Sequence, residues 1–192
     1  MSIPTQTRWA ALAVAGLTAF SAPAWAEKVR LVTSMGDIVL ELDAQKAPKS
    51  VANFEQYVKE GHYNGTVFHR VIENFMIQGG GMLPTLSEKP THKPIPLESH
   101  NGLNNTRGTV AMARTGDPNS ATAQFFINVK DNAFLDAANS PDGNGYAVFG
   151  HVVSGMDVVD KIRAVQTTTK GPYADVPAQP VLIKKATLEE YA

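Results

Sequence analysis

The sequence predicts a mainly β domain, a sandwich or a barrel, carrying two helices. Three observations lead there. Short runs rich in β-branched and aromatic residues recur along most of the chain. Only two stretches place apolar residues at helical spacing. Turn-forming residues separate the runs, and no charge block, internal repeat or linker divides them. At 192 residues the chain is long enough for one domain with a substantial core and too short for two comfortable ones.

The elements follow in order. EKVRLVTSMGDIVLELD alternates on both sides of Met35-Gly36-Asp37, as an opening hairpin does. Pro48 suits the first turn of a helix, where its missing N–H costs nothing, and Val51, Phe54, Tyr57 and Val58 then recur at helical spacing until Gly61 stops it. TVFHRVI, FMIQ, GTVAMA, AQFFINV and YAVFGHV are expected as strands, with VLIKKATLEEY as the last. A second helix is expected in SGMDVVDKI, with Ser154 and Asp157 at the ends of a capping box and Met156, Val159 and Ile162 on its apolar side. Two stretches read as long irregular loops: LPTLSEKPTHKPIPLESHNGLNNTRG, which holds four prolines, and LDAANSPDGNG, from Leu135 to Gly145.

Residues 1–26 stand apart from this pattern. Arg8 precedes an apolar run from Trp9 to Phe20, and Ala24-Trp25-Ala26 fits a small-x-small cleavage site. The run is too short for a permanent bilayer span. Cleavage after Ala26 is expected, leaving a domain over 27–192. Loss of Arg8 takes the 17 basic side chains to 16 against 18 acidic ones, a charge of −2. That balance offers no attraction to nucleic acid or an anionic membrane. The chain has no cysteine, so an exported form uses no disulfide and no lipoprotein anchor.

Two segments hold the candidate chemistry. In AQFFINV, alternation puts Phe125, Ile127 and Val129 on a core face and Gln124, Phe126 and Asn128 on the other. A ring between two amides suits a peptide: the ring receives an apolar side chain and the amides engage backbone groups. A half-exposed strand with one misplaced Phe reads equally well. In TVFHRVI, alternation places Phe68, Arg70 and Ile72 on one face, with His69 and Val71 on the other. A surface arginine with its stem laid on apolar neighbours is the ordinary account of Arg70. Phe75, Met76 and Gln78 follow closely, yet Phe75 and Met76 share a pocket only if the chain bends there.

Other chemistries find less support. His62, His69, His92, His100 and His151 lack ligand spacing for a metal. Gly79 to Gly81 lack the form of a phosphate loop, and no serine sits in GxSxG. The aspartates Asp117, Asp131, Asp136 and Asp142 are dispersed through turns, without a pattern setting a proton donor against a nucleophile. An arginine, amides and apolar side chains remain, a set suited to binding and polarising.

FHRVIENFMIQGG, NTRGTVAMART, SATAQFFINV, AFLD and YAVFG, in this order, resemble the cyclophilin-type peptidyl-prolyl cis-trans isomerases, most closely their exported bacterial branch. The resemblance covers nearly all of Val29 to Ala186. It implies a closed eight-stranded antiparallel barrel capped by two α-helices. It makes Arg70 the catalytic residue, and Phe75, Met76, Gln78, Gln124, Phe126 and Leu135 the walls and amides of a proline pocket. The backbone of Met112, Ala113, Arg114 and Thr115 corresponds to the rest of the groove, although Arg114 replaces an asparagine common in eukaryotic members. Phe134 stands where those members often carry tryptophan, and Tyr146 where they often carry histidine. The resemblance further implies no cofactor or metal, a monomer, proline-containing unfolded or partly folded exported polypeptides as partners, and weak cyclosporin binding. With the leader it implies a periplasmic location, or secretion from a host without an outer membrane. The competing reading is a non-catalytic proline-peptide-binding chaperone module, which would keep the pocket but could dispense with Arg70.

Overall fold

Alternation in KVRLVT and GDIVLEL produces the expected hairpin. β1 (Lys28–Thr33) and β2 (Gly36–Leu42) pair from Lys28 opposite Glu41 to Thr33 opposite Gly36, leaving Ser34 and Met35 as a two-residue turn. The structure is a computed structural model and describes residue 1 and residues 27–189; the expected leader, Met1 apart, and residues 190–192 lie outside the described residues.

The first helix, α1 (Pro48–Lys59), begins on proline and buries Val51, Phe54, Tyr57 and Val58. Ala47 supplies no side-chain cap. The long loop does so instead: the Glu98 carboxylate accepts the N–H groups of Lys49 at 3.2 Å and Ser50 at 2.6 Å. A carboxylate there satisfies orphan donors and complements the helix dipole.

TVFHRVI departs from the expected single strand. It divides into β3 (Thr66–Val67) and β4 (Arg70–Ile72). The Phe68 N–H turns to the carbonyl of Val181, whereas Arg70–Ile72 pair with β5 (Met76–Gly79). Phe68 is buried in the interior core and Arg70 is exposed, so the alternation expected across this segment fails at its break. The glycine that ends β5 has a packing reason: a Cβ on Gly79 would lie 2.8 Å from the Val67 carbonyl oxygen, so only glycine lets these segments pass.

The remaining strands are β6 (Thr109–Met112), β7 (Phe125–Asn128), β8 (Val148–Ser154), β9 (Thr167–Lys170), β10 (Tyr173–Pro177) and β11 (Leu182–Glu189). Among the described residues nine strands form one antiparallel sheet in the order β3-β11-β1-β2-β8-β6-β7-β5-β4. The strand count exceeds the expected eight because of the division at Phe68 and His69. The sheet's two end strands, β3 and β4, are joined in the chain by those two residues alone. β9 and β10 form a separate hairpin beside β4; polar TTTK gave no alternating signal for it.

The second helix, α2 (Met156–Arg163), buries Val158, Val159 and Ile162. The expected capping box is absent. Ser154 belongs to β8, the N-cap is Gly155 at φ +89°, and no side chain caps the helix. A Cβ at Gly155 would collide with the backbone of Asp37 and Ile38, so close approach selects glycine over a polar cap. α1 packs against β11, and α2 against β2, β4 and β5. The helices and the inward strand faces share one core, in which Phe54, Tyr63, Phe68, Phe125 and Phe149 are fully buried.

Candidate active site

Strand register, more than any single contact, builds the site. Arg70 lies opposite Gln78 on β4 and β5, Gln78 opposite Phe126 on β5 and β7, and Phe126 opposite Ala111 on β7 and β6. Directly opposed residues hold their Cβ atoms about 5 Å apart, so these four form one row across the outer face of the sheet. The next row sets Ile72 opposite Met76 and Met76 opposite Asn128. As expected for AQFFINV, Phe125, Ile127 and, just beyond β7, Val129 enter the interior core while Phe126 faces out.

Apolar side chains surround the row. Met76, Ala111, Phe126, Leu135 and Val148 form a cluster separate from the interior core, with Phe75 and Tyr146 packed against it. The bend required for Phe75 and Met76 to cooperate is present: Phe75 N–H donates to the Ile72 carbonyl at 3.0 Å, closing a turn before β5. The Phe126 ring meets Tyr146 edge-on at 5.7 Å. Leu135 ends a 3-10 turn, Ala133–Leu135, which follows directly on Asn132. Phe134 on that turn is 58 % exposed and stacks on Phe75 at 5.5 Å.

Amides define the polar edge. Gln78 Nε2 donates to Gln124 Oε1 at 2.9 Å, which leaves Gln78 Oε1 facing Arg70, whose Nη1 lies 3.5 Å away. Next to Arg70 in the chain, His69 is buried and its Nδ1 has no partner among the described residues. Burial, with the Arg70 charge adding to it, lowers the His69 pKa to about 4, so the imidazole is neutral and Arg70 carries the cation here.

The segment from Met112 to Thr115 is less uniform than its sequence suggested. Met112 turns its side chain into the interior core, while Ala113 packs against the outer cluster and donates its N–H to the Gln124 carbonyl at 3.0 Å. Arg114 Nε and Nη2 both donate to the Gly145 carbonyl, at 3.0 and 2.7 Å, and its guanidinium carbon lies 4.6 Å from the Tyr146 ring centre. Thr115 is exposed, and its N–H and hydroxyl donate to Ser120 Oγ. Sequence reading missed Ala111, Asn105 and Asn132. The small side chains of Ala111 and Ala113, alternating in TVAMA, were the available signal for the first; nothing local marks the other two.

Among the described residues no group of three or more His, Asp or Glu side chains could hold a metal. A cleft of about 650 Å³ lies elsewhere, between the end of β2 and the start of α1; Glu27, Glu41, Asp43 and Glu55 line it and it shares no residue with the row. The row and its neighbour Gln124 together hold a cation, two amides and an adjoining apolar cluster. Fold and site thus define a mainly β protein whose outer sheet face sets a cation and amides beside an apolar cluster, with no nucleophile among them.

The comparisons with known proteins agree. The family described as "Cyclophilin type peptidyl-prolyl cis-trans isomerase/CLD" matches residues 28–188. Peptidyl-prolyl cis-trans isomerase cyp18 of Streptomyces antibioticus is 59% identical over 161 residues, 83% of this chain and 97% of the relative. Peptidyl-prolyl cis-trans isomerase A of Dickeya dadantii is 55% identical over 183 residues, 93% of this chain and 95% of the relative. A crystal structure of a cyclophilin-type isomerase from Cryptosporidium parvum superposes with TM-score 0.75 at 26% identity, covering 88% of this chain and all of that one. The same Cryptosporidium protein in the presence of the dipeptide Ala-Pro gives TM-score 0.73 at 26% identity, with 85% and 99% covered. The chain belongs to the cyclophilin-type peptidyl-prolyl cis-trans isomerase family and has the mainly β, two-helix fold of that family. Its activity is the cis–trans isomerisation of X–Pro peptide bonds.

Proposed function

We propose that Arg70 is the catalytic group of this isomerase and that the apolar cluster beside it binds the proline ring of unfolded or partly folded exported polypeptides. The observation that carries the reading is the row Arg70–Gln78–Phe126, which sets a cation two strand positions from an apolar floor.

An X–Pro bond resists rotation because resonance gives C–N partial double-bond character. Rotation breaks that resonance and returns a lone pair to the prolyl nitrogen. No covalent step is needed; the enzyme has to bind the twisted amide better than either planar isomer. Phe75, Met76, Phe126 and Leu135 hold the proline ring and fix one side of the rotating bond. Gln78 and Gln124, with the backbone from Met112 to Thr115, hold the chain around it. Arg70, permanently charged and forked, donates toward the prolyl nitrogen as its lone pair develops. The apolar walls exclude competing water and strengthen that bond. Phe134 and Tyr146 close the pocket rim.

The finer assignments belong to the same reading. The leader pattern from Arg8 to Ala26 supports export, cleavage before Glu27 and residence in the periplasm, and the family match begins at residue 28, just beyond that site. The mature protein works as a monomer without cofactor and binds cyclosporin weakly. β3 and β4 act as one bent strand that closes an eight-stranded barrel; their adjacency in the chain supports this. The test is a proline-limited refolding reaction with the mature chain at substoichiometric ratio. Continued turnover is expected, whereas an effect that scales with bound substrate would favour the chaperone module.

A further inference from the structure

The proline pocket is walled by segments outside the sheet ladder: the turn carrying Phe75, the 3-10 turn carrying Leu135, and the stretch carrying Tyr146. Main-chain bonds tie the Phe75 carbonyl to the Val129 N–H at 3.1 Å and the Leu135 carbonyl to the Tyr146 N–H at 2.9 Å. Between the Phe75 turn and the Leu135 turn, however, apolar contact alone would leave the spacing soft, since it has little directional preference. A cluster of buried asparagines lies beneath them. Asn128 and Asn132 are fully buried and Asn105 is 1 % exposed.

Asn132 touches both walls. Its Nδ2 donates to the Phe75 carbonyl at 2.8 Å and to Asn128 Oδ1 at 2.9 Å. Its own carbonyl accepts the Leu135 N–H at 2.9 Å. Both hydrogens of the amide are therefore spent in tying the Phe75 turn to β7, while the backbone of the same residue starts the turn that presents Leu135. Asn128 lies opposite Met76 in the register, so the bonds reach the pocket floor as well. Asn105 extends the cluster to the third wall: it accepts the Asn132 N–H at 2.8 Å and donates to Asp136 Oδ1, next to Leu135, and to the Tyr146 carbonyl. Asn132 Oδ1 has no partner among the described residues. A buried acceptor left unsatisfied is unfavourable, so the amide is held here by its two donated bonds and not by optimal pairing of the whole group.

We propose that Asn132, supported by Asn105 and Asn128, is a positioning residue that sets the width of the proline pocket. It touches neither substrate nor Arg70; it acts through Phe75 and Leu135. This inference rests on the pocket assignment of the preceding subsection.

The test measures kcat and KM for an X–Pro peptide at low temperature in the mature protein, with N132A and F126A side by side and V159A, in the α2 core, as a control for stability loss. N132A should raise KM roughly tenfold with kcat changed less than about threefold, because the Arg70 edge stays intact. V159A should leave both constants unchanged at an equal loss of Tm, a difference that a purely structural role for Asn132 would not produce. Should N132A fail to fold, N105A is held to the same criterion. N132A, or N105A in its place, within about twofold of wild type while F126A loses activity would overturn the positioning role alone. Wild-type constants in F126A also would overturn the pocket assignment and this inference with it.

Discussion

Arg70 and Gln78 face each other across β4 and β5, with Nη1 of the guanidinium 3.5 Å from Oε1 of the amide. That distance is long for a hydrogen bond, and Arg70 makes no ion pair among the described residues. Register aims the side chain while its donors stay available. Gln78 is held from its other end by Gln124, which keeps its oxygen toward the arginine.

Gln78→Glu disturbs this balance without changing size. A carboxylate keeps an acceptor for Arg70, adds a charge and loses the donor to Gln124. The guanidinium should then be held by its neighbour in place of the substrate, lowering kcat/KM by about tenfold or more. Exchange spectroscopy on an X–Pro peptide measures it; an unchanged rate would mean that Gln78 does not orient Arg70.

His69 gives a pH dependence with a definite sign. Its folded-state pKa of about 4 lies below the unfolded value of 6.5, so between these limits the unfolded chain binds a proton that the folded chain refuses. Stability from this group is fully present above pH 6.5 and falls as the pH drops toward 4, by roughly 3 kcal/mol in all. Urea unfolding of wild type and H69Q at pH 7 and pH 4 isolates the contribution. The gap between the two proteins should change with pH; a constant gap would contradict it.

Much of the fold is legible in the sequence where one local rule decides. Pro48 and the spacing from Val51 to Val58 set α1, and alternation in AQFFINV assigns both faces of β7 correctly. Reading fails where a distant backbone decides. Ser154 looks like a cap, but the approach of Asp37 requires Gly155 there. TVFHRVI looks like one strand, but its halves bond to different partners, β11 and β5. The site shows the same division. Arg70, Phe75, Met76, Gln78, Gln124, Phe126 and Leu135 stand in recognisable motifs. Asn105 and Asn132 join segments separated in sequence and become visible only once the chain is folded.

Phe134 is largely exposed and rests on Phe75. Tryptophan would offer more ring surface and an indole N–H donor. F134W should therefore bind cyclosporin more tightly than wild type. Calorimetric titration decides, and equal or weaker binding in F134W would mean that Phe134 does not limit cyclosporin affinity.

Processing is tested on the protein recovered outside the cytoplasm. N-terminal sequencing should read Glu27 first. A product beginning near Met1 would remove the leader assignment and the periplasmic location with it.

The central claim is that Arg70 stabilises the twisted amide. R70A should stay folded, because its side chain faces outward, yet lose roughly 10²- to 10³-fold in kcat/KM, about 2.7–4 kcal/mol for a well-placed transition-state donor. R70K should recover little, since a flexible point charge does not reproduce the planar fork. The most direct measurement is cis–trans exchange of a short X–Pro peptide by NMR, with circular dichroism to verify the fold. A folded R70A that exchanges the peptide at nearly the wild-type rate would contradict the mechanism and reduce Arg70 to a rim charge.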